Sequence, residues 1–137
     1  MNYWLVKSDP ETYGWEHLVK DKKTDWTGIR NYAARIHLKG MKKGDLVLFY
    51  HSQQSQAIVG LAKVTKEFFQ DPTTTDDAWV AVELAVVKPL KNPVSLAEIK
   101  AIKEFKEFPL VRISRLSVMP VNEIEFERIL KMSETNL

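Results

Sequence analysis

The chain has 137 residues, of which 45% are hydrophobic and 28% charged, with a formal net charge of +2 and no cysteine. This length and composition predict one ordered domain over residues 1–137 with a hydrophobic core of its own. The absence of cysteine excludes a disulfide framework, thiol catalysis and cysteine-based zinc or iron–sulfur sites.

The N-terminal half predicts a strand, two helices and a second strand. Residues 3–7 are rich in β-forming side chains, and the Ser-Asp-Pro-Glu sequence after them supplies the cap and first turn of a helix over residues 11–20. A turn over residues 25–28 follows, and Asn31 is placed to cap a second helix. The apolar run at residues 46–50 predicts a strand.

The middle of the chain predicts two strands, at residues 57–64 and 79–87, joined by the threonine- and aspartate-rich stretch 73–77. The connections on either side of residues 57–64 are too short to hold a helical crossover. These strands should therefore pair largely antiparallel.

The C-terminal part predicts a helix that begins with the capping box at residues 95–98. Two strand segments at 110–113 and 116–118 follow, and Asn122 caps a last helix. The predicted fold class is therefore α+β. It has five or six mostly antiparallel strands in a curved sheet or small twisted barrel, with about four peripheral helices.

Positive charge is concentrated in residues 20–43, which hold eight basic and two acidic residues and carry +6, while the rest of the chain sums to −4. A basic segment on a nearly neutral chain predicts an anionic partner. A solvated, lysine-rich surface is the alternative interpretation.

The common enzyme motifs are missing from the sequence. The five glycines form no dinucleotide or phosphate loop, and the three histidines have no zinc-ligand spacing. Asp71, Asp76 and Asp77 could ligate a metal, but a solvated loop explains them better. We therefore predict no cofactor, no metal and no catalytic residue.

Two of the four tryptophans, Trp26 and Trp79, lie in polar surroundings, whereas Trp4 and Trp15 fit the apolar faces of a strand and a helix. Aromatic rings beside basic residues are what recognition of single-stranded or flipped bases uses. Burial in the core is the alternative for each of these two rings.

Several long segments resemble the motifs of the EVE domain family, in the order in which that family has them. They are YWLVKSDP from Tyr3, WTGIRNYAAR from Trp26, MKKGDLVLFYHS from Met41, IVG from Ile58 and SRLSV from Ser114. The chain departs from the family pattern at Asp9, where glutamate is usual, and at Thr27, where many members have aspartate.

The resemblance implies a PUA-like fold related to YTH domains, and recognition of a modified base in DNA or RNA without catalysis. By that resemblance Trp26 stacks on the extruded base and Trp79 takes the place of a second cage tryptophan. Lys7 and Ser8 line the pocket floor, and Thr27 faces the base edge.

The remaining implied positions surround that pocket. The group that shapes it or contacts sugar and phosphate is Arg30, Asn31 and Tyr32. The pair that ends a central strand beside it is His51 and Ser52. The closing motif consists of Ser114, Arg115 and Ser117. With no effector domain recognised in the chain, any cleavage of the nucleic acid requires a partner protein in trans.

No apolar run in the sequence is long enough for a membrane span, and the N-terminus lacks the features of a signal peptide. We therefore expect a soluble cytoplasmic protein with no membrane partner. Two rival functions stay open at this point. One is a nucleotide-directed enzyme, for example a hydrolase that uses His51. The other is a sensor of a free nucleoside.

Overall fold

A six-stranded mixed sheet forms the centre of the computed structural model of the chain, which describes residues 1–53 and 55–137. Its strands are β1 (Tyr3–Ser8), β2 (Lys23–Trp26), β3 (Leu46–His51), β4 (Ala57–Gln70), β5 (Val80–Ser95) and β6 (Val118–Val121). The order across the sheet is β2-β5-β4-β3-β1-β6. Within the described ranges β2 and β6 are edge strands, so the sheet is not closed into a barrel.

One neighbouring pair, β1 with β3, is parallel, and the other pairs between the described strands are antiparallel. Parallel neighbours need a long connection, and the segment between β1 and β3 contains the N-terminal helices. The predicted α+β class with five or six mostly antiparallel strands is therefore confirmed, and the described sheet has six.

Six helices lie around this sheet in the described part of the chain. They are α1 (Pro10–Tyr13), α2 (Trp15–Asp21), α3 (Tyr32–Gly40), α4 (Leu96–Lys100), α5 (Pro109–Arg112) and α6 (Glu123–Met132), with a 3₁₀ turn at Lys103–Phe105.

The predicted helix caps are present. The Asn31 side chain accepts a hydrogen bond from the Ala34 N–H at 3.0 Å, and Ser95 and Asn122 cap α4 and α6 as parts of capping boxes. A capping side chain satisfies backbone N–H groups that have no partner within the helix.

The predicted single helix over residues 11–20 is wrong, because it divides at Gly14. Gly14 is extended (φ −89°, ψ 175°), and its N–H donates to Nδ1 of His17 at 2.8 Å. α1 therefore ends at Tyr13 and α2 begins at Trp15.

Two further local predictions are corrected. Residues 25 and 26 belong to β2, which pairs with β5, and the turn itself comes later, around Gly28 with φ 81°. Residues 110–112 are helical rather than extended, because Pro109 begins a helical turn there. Of the predicted segment 116–118, Val118 alone is in a strand.

The core contains the rings of Trp4, Trp15 and Trp26, each less than 10% exposed. The tightest approach is at Gly60 in β4, where an added Cβ would lie 2.4 Å from Cζ3 of Trp15. Position 60 therefore needs a residue without a side chain, because the Trp15 ring packs on β4 there. This packing attaches α2 to the sheet.

We expect Gly60→Ala to lower the free energy of unfolding by about 1–3 kcal/mol, because the new methyl group overlaps the Trp15 ring. Urea denaturation measures this loss. In a Trp15→Leu background the same substitution should cost clearly less, because the overlapping ring is gone. An equal cost in both backgrounds would contradict the steric explanation.

No helix in residues 1–53 or 55–137 is long and apolar enough to cross a membrane.

Candidate nucleic-acid interface

A cavity of about 410 Å³ lies where β1 and β2 end, beside α1. We call it the Trp26 pocket. Its wall consists of Lys7, Ser8, Asp9, Thr12, Tyr13, Thr24, Asp25, Trp26, Thr27 and Ile29. Four of the residues predicted for the site, Lys7, Ser8, Trp26 and Thr27, are thus brought together from separate parts of the sequence.

Trp26 belongs both to the core and to this pocket. Only 7% of its surface is exposed, and its ring packs edge-on against Phe49 (centroids 5.6 Å apart) and against Tyr13 (6.3 Å). Trp26 is also one of the residues that line the cavity. The core interpretation of Trp26 is therefore confirmed, and its stacking on a base stays a prediction.

Lys7 stands between the Trp26 pocket and a second cavity of about 250 Å³, and it lines both. Its Nζ donates to the carbonyl of Ser114 at 2.8 Å and lies 5.9 Å from the centre of the Tyr50 ring. Burial lowers the pKa of the Lys7 ammonium. The Lys7 N–H donates to the Ser117 carbonyl at 2.9 Å, which holds the 114–117 segment against β1.

The polar groups of the Trp26 pocket include both signs of charge. Asp9, Asp25 and Lys7 all line the cavity, and the Lys7 ammonium group donates to the carbonyl of Ser114, a residue of the second cavity. One Asp9 oxygen accepts the Glu11 N–H at 2.9 Å as the cap of α1, and the Ser8 hydroxyl donates to the Tyr13 carbonyl. Carboxylates accept hydrogen bonds, so the pocket suits a ligand with N–H donors.

Asp71 ties the loop after Trp26 to the end of β4. It is fully buried, and it accepts hydrogen bonds from the Gly28 N–H (2.8 Å), the Arg30 guanidinium (3.0 Å) and the hydroxyl and N–H of Thr73 (2.6 and 2.8 Å). Burial alone would raise the pKa of Asp71, but these hydrogen bonds outweigh it and hold that pKa well below its ordinary value.

The interpretation of Asp71 as a solvated loop residue is therefore wrong, although Asp76 and Asp77 are exposed as expected. The local Asp-Pro-Thr sequence is typical of an Asx turn, and that was the available signal. The contacts with Gly28 and Arg30 span more than forty residues of sequence, so sequence periodicity cannot reveal them.

A second aromatic cluster lies beyond this loop, and we call it the Trp79 cluster. The ring centres of Tyr32 and Trp79 are 5.3 Å apart. Cζ of the Arg35 guanidinium lies 4.9 Å from the centre of the Tyr32 ring and 5.3 Å from that of Trp79. Arg30 lies 5.5 Å from Trp79. Trp79 does not line the cavity that Trp26 lines, so the structure places the two tryptophans in separate groups.

The other predicted site residues occupy supporting or outlying positions. The Asn31 side chain caps α3, and the Ser52 N–H donates to the Ser8 carbonyl at 2.9 Å. Ser52 and Ser114 line the second cavity, whereas Arg115 is exposed.

His51 is engaged in a structural hydrogen bond. Its Nε2 accepts the Trp15 N–H at 3.0 Å, which requires the neutral ring. Burial lowers the pKa of His51, and Glu16 opposes that shift only in part, so the ring is neutral at pH 7. Residues 1–53 and 55–137 contain no group of three His, Asp or Glu side chains placed to hold a metal ion.

With this geometry in place, comparison with known proteins assigns the class. The sequence model of the EVE domain matches residues 2–132, and the chain belongs to the EVE domain family.

Among individual relatives, mouse thymocyte nuclear protein 1 is 33% identical over 168 residues, covering 98% of this chain and 74% of the mouse protein. The crystal structure of the Agrobacterium tumefaciens protein Atu2648 superposes with a TM-score of 0.95 at 38% identity, covering 98% of this chain and 94% of that one. Human THYN1, crystallised in complex with DNA containing 5-methylcytosine, gives a TM-score of 0.88 at 30% identity, and the match covers 100% of both chains.

The Mmi1 YTH domain superposes with a TM-score of 0.61 at 16% identity, covering 97% of this chain and 88% of that domain. At this identity the likeness concerns the fold alone. It confirms the structural relation to YTH domains that the sequence motifs imply.

Proposed function

We propose that the chain is a non-catalytic nucleic-acid-binding module that takes one modified base, extruded from its strand, into the Trp26 pocket. The observation that carries the proposal is the pocket itself, where Lys7, Ser8, Trp26 and Thr27 share one wall. Its volume of about 410 Å³ is within the usual range of ligand pockets. The complex of human THYN1 with 5-methylcytosine DNA supports this class of ligand.

Each part of the pocket has a role in this proposal. The Trp26 ring offers an apolar surface to the base, and such a contact stabilises binding by about 1–3 kcal/mol. Asp9 and Asp25 accept hydrogen bonds from an exocyclic amino group, as cytosine and adenine carry. Thr27 helps to set which modification fits. Extrusion costs a few kcal/mol, and stacking and edge hydrogen bonds offset it.

The basic segment supplies the phosphate contacts. Between Trp26 and Gly44 the chain has five cations and no acidic residue. Three of these cations, Arg35, Lys39 and Lys43, have no carboxylate within ion-pair distance in the described residues. Binding should therefore weaken as salt is raised.

The rival enzyme hypothesis has less support. A hydrolase that used His51 as a base would need a free ring nitrogen beside its substrate. Nε2 of His51 is occupied by the Trp15 N–H, and His51 is not part of the wall of the Trp26 pocket. We propose that any processing of the nucleic acid is carried out by a partner protein in trans.

The test is a fluorescence titration with DNA and RNA oligonucleotides that differ at one central base, 5-methylcytosine against cytosine and N6-methyladenine against adenine. We expect at least one modified probe to bind more tightly than its plain counterpart. Thr12→Trp, at an exposed position in the pocket wall, should fill the cavity and remove that preference, because the base can no longer enter.

Thr12→Ala is the matched control, because it opens the same position and should keep the preference. Equal binding of modified and plain probes by the wild-type protein would overturn the proposal. Tight binding of a free methylated nucleoside, with no added affinity and no salt dependence for the oligonucleotide, would favour the nucleoside sensor instead.

A further inference from the structure

The Trp79 cluster is unusual because its rings contact cations but remain accessible. Tyr32, the first residue of α3, is 67% exposed although it contacts both Trp79 and the Arg35 guanidinium. Ile36, one helical turn further on, is 65% exposed. Most of the surface of Tyr32 is therefore available to a ligand while its ring contacts Trp79 and Arg35.

The positive charge of the cluster is only partly neutralised by carboxylates. Arg30 is paired with the buried Asp71, but Arg35 has no carboxylate partner in the described residues. Nη1 of Arg35 donates to the Ala78 carbonyl at 2.9 Å, while its Nε is shielded from water without an acceptor. A buried donor without an acceptor is a cost that surface packing alone does not explain.

The loop over residues 27–30 connects the Trp26 pocket to the Trp79 cluster. Ile29 is in the pocket wall, and Arg30, the next residue, lies 5.5 Å from the Trp79 ring. Asp71 fixes the position of this loop, because it accepts hydrogen bonds from both Gly28 and Arg30. This connection is the reason to expect that a strand with one base in the pocket places an adjacent nucleotide near the cluster.

We infer that the Trp79 cluster is a second subsite, which stacks the nucleotide next to the base held in the Trp26 pocket. This inference rests on the proposed function. Extrusion removes a stacking neighbour from the flanking base, and the exposed ring of Tyr32 replaces it. The Arg35 guanidinium, which lies over both rings, supplies the positive charge for the adjoining phosphate.

The test uses single-stranded DNA with a central 5-methylcytosine, either intact or with an abasic residue directly on its 5′ or its 3′ side. The wild-type protein should bind one of the two abasic probes about 5- to 100-fold more weakly than the intact probe. Tyr32→Ala should weaken binding of the intact probe by a similar factor, and it should cause no additional loss on that abasic probe.

Two controls separate stacking from a loss of structure. Tyr32→Phe keeps the ring and should bind like the wild type. Ile124→Ala removes an exposed apolar side chain from α6, which is not part of this surface, and should also leave binding unchanged. The inference is overturned if both abasic probes bind the wild type as tightly as the intact one. It is also overturned if Tyr32→Ala has no effect or weakens all three probes equally.

A plain-cytosine probe distinguishes failure of the subsite from failure of the proposed function. A preference for 5-methylcytosine that survives in Tyr32→Ala, together with indifference to the flanking base, removes only the subsite. If the wild-type protein prefers none of the modified probes of the titration above, 5-methylcytosine and N6-methyladenine alike, the proposed function and the subsite are removed together.

Discussion

Trp26→Ala should lower the free energy of unfolding by about 3–5 kcal/mol, the usual cost of truncating a buried aromatic residue to alanine. The ring is 7% exposed and packs edge-on against Phe49 and Tyr13, so its removal leaves a hole where β2 meets the core. Urea denaturation followed by circular dichroism measures the loss.

Because this variant is destabilised, its binding has to be compared with that of Trp26→Phe. Phenylalanine keeps an aromatic ring in the core but offers a smaller surface to a base. We expect Trp26→Phe to remain folded and to bind the modified oligonucleotide more weakly than the wild type. Unchanged affinity would show that Trp26 acts in the core alone.

Asp71→Ala should be nearly as damaging, with a loss of stability of about 3 kcal/mol, towards the lower end of what breaking a buried ion pair costs. The substitution leaves the Gly28 N–H without its acceptor and Arg30 without its carboxylate. The Arg30 side chain is 40% exposed, so water can solvate it in part, which limits the cost. Asp77→Ala, at an exposed position in the same connection, should change stability little.

Asp71 should also make stability depend on pH. Its pKa in the folded protein is lower than in the unfolded chain, where it is near 3.8, so the folded state binds the proton less readily. The contribution of Asp71 is therefore complete above that ordinary pKa and is lost as the pH falls below it. Unfolding curves between pH 7 and pH 2 should show a smaller acid-induced loss in Asp71→Ala than in the wild type. Parallel losses would contradict this assignment.

The parts of the fold that were predictable depend on neighbours in the sequence. The caps at Asn31, Ser95 and Asn122 each form hydrogen bonds within three residues. The errors at Gly14 and Pro109 are also local. Gly14 divides one helical pattern into two helices, and Pro109 begins a helical turn in an apolar run that fits both a helix and a strand.

The site was less accessible to sequence reasoning. The family motifs indicated Lys7, Ser8, Trp26 and Thr27, which share the Trp26 pocket. They did not indicate that Trp79 lies with Tyr32 and Arg35 instead, because the β4–β5 connection sets its position. The hydrogen bonds of Asp71 were hidden for the same reason, since they join loops that are distant in the sequence.

The position of β1 between β3 and β6 has a consequence for how the molecule assembles. Trp4 pairs with Val47 on one side and with Pro120 on the other, so the first strand finds its second neighbour more than a hundred residues later. Such contacts require large loops to close and favour slow folding. During synthesis β1 cannot pair with β6 until residues 118–121 have emerged. Until then one edge of β1 is open to association with other chains.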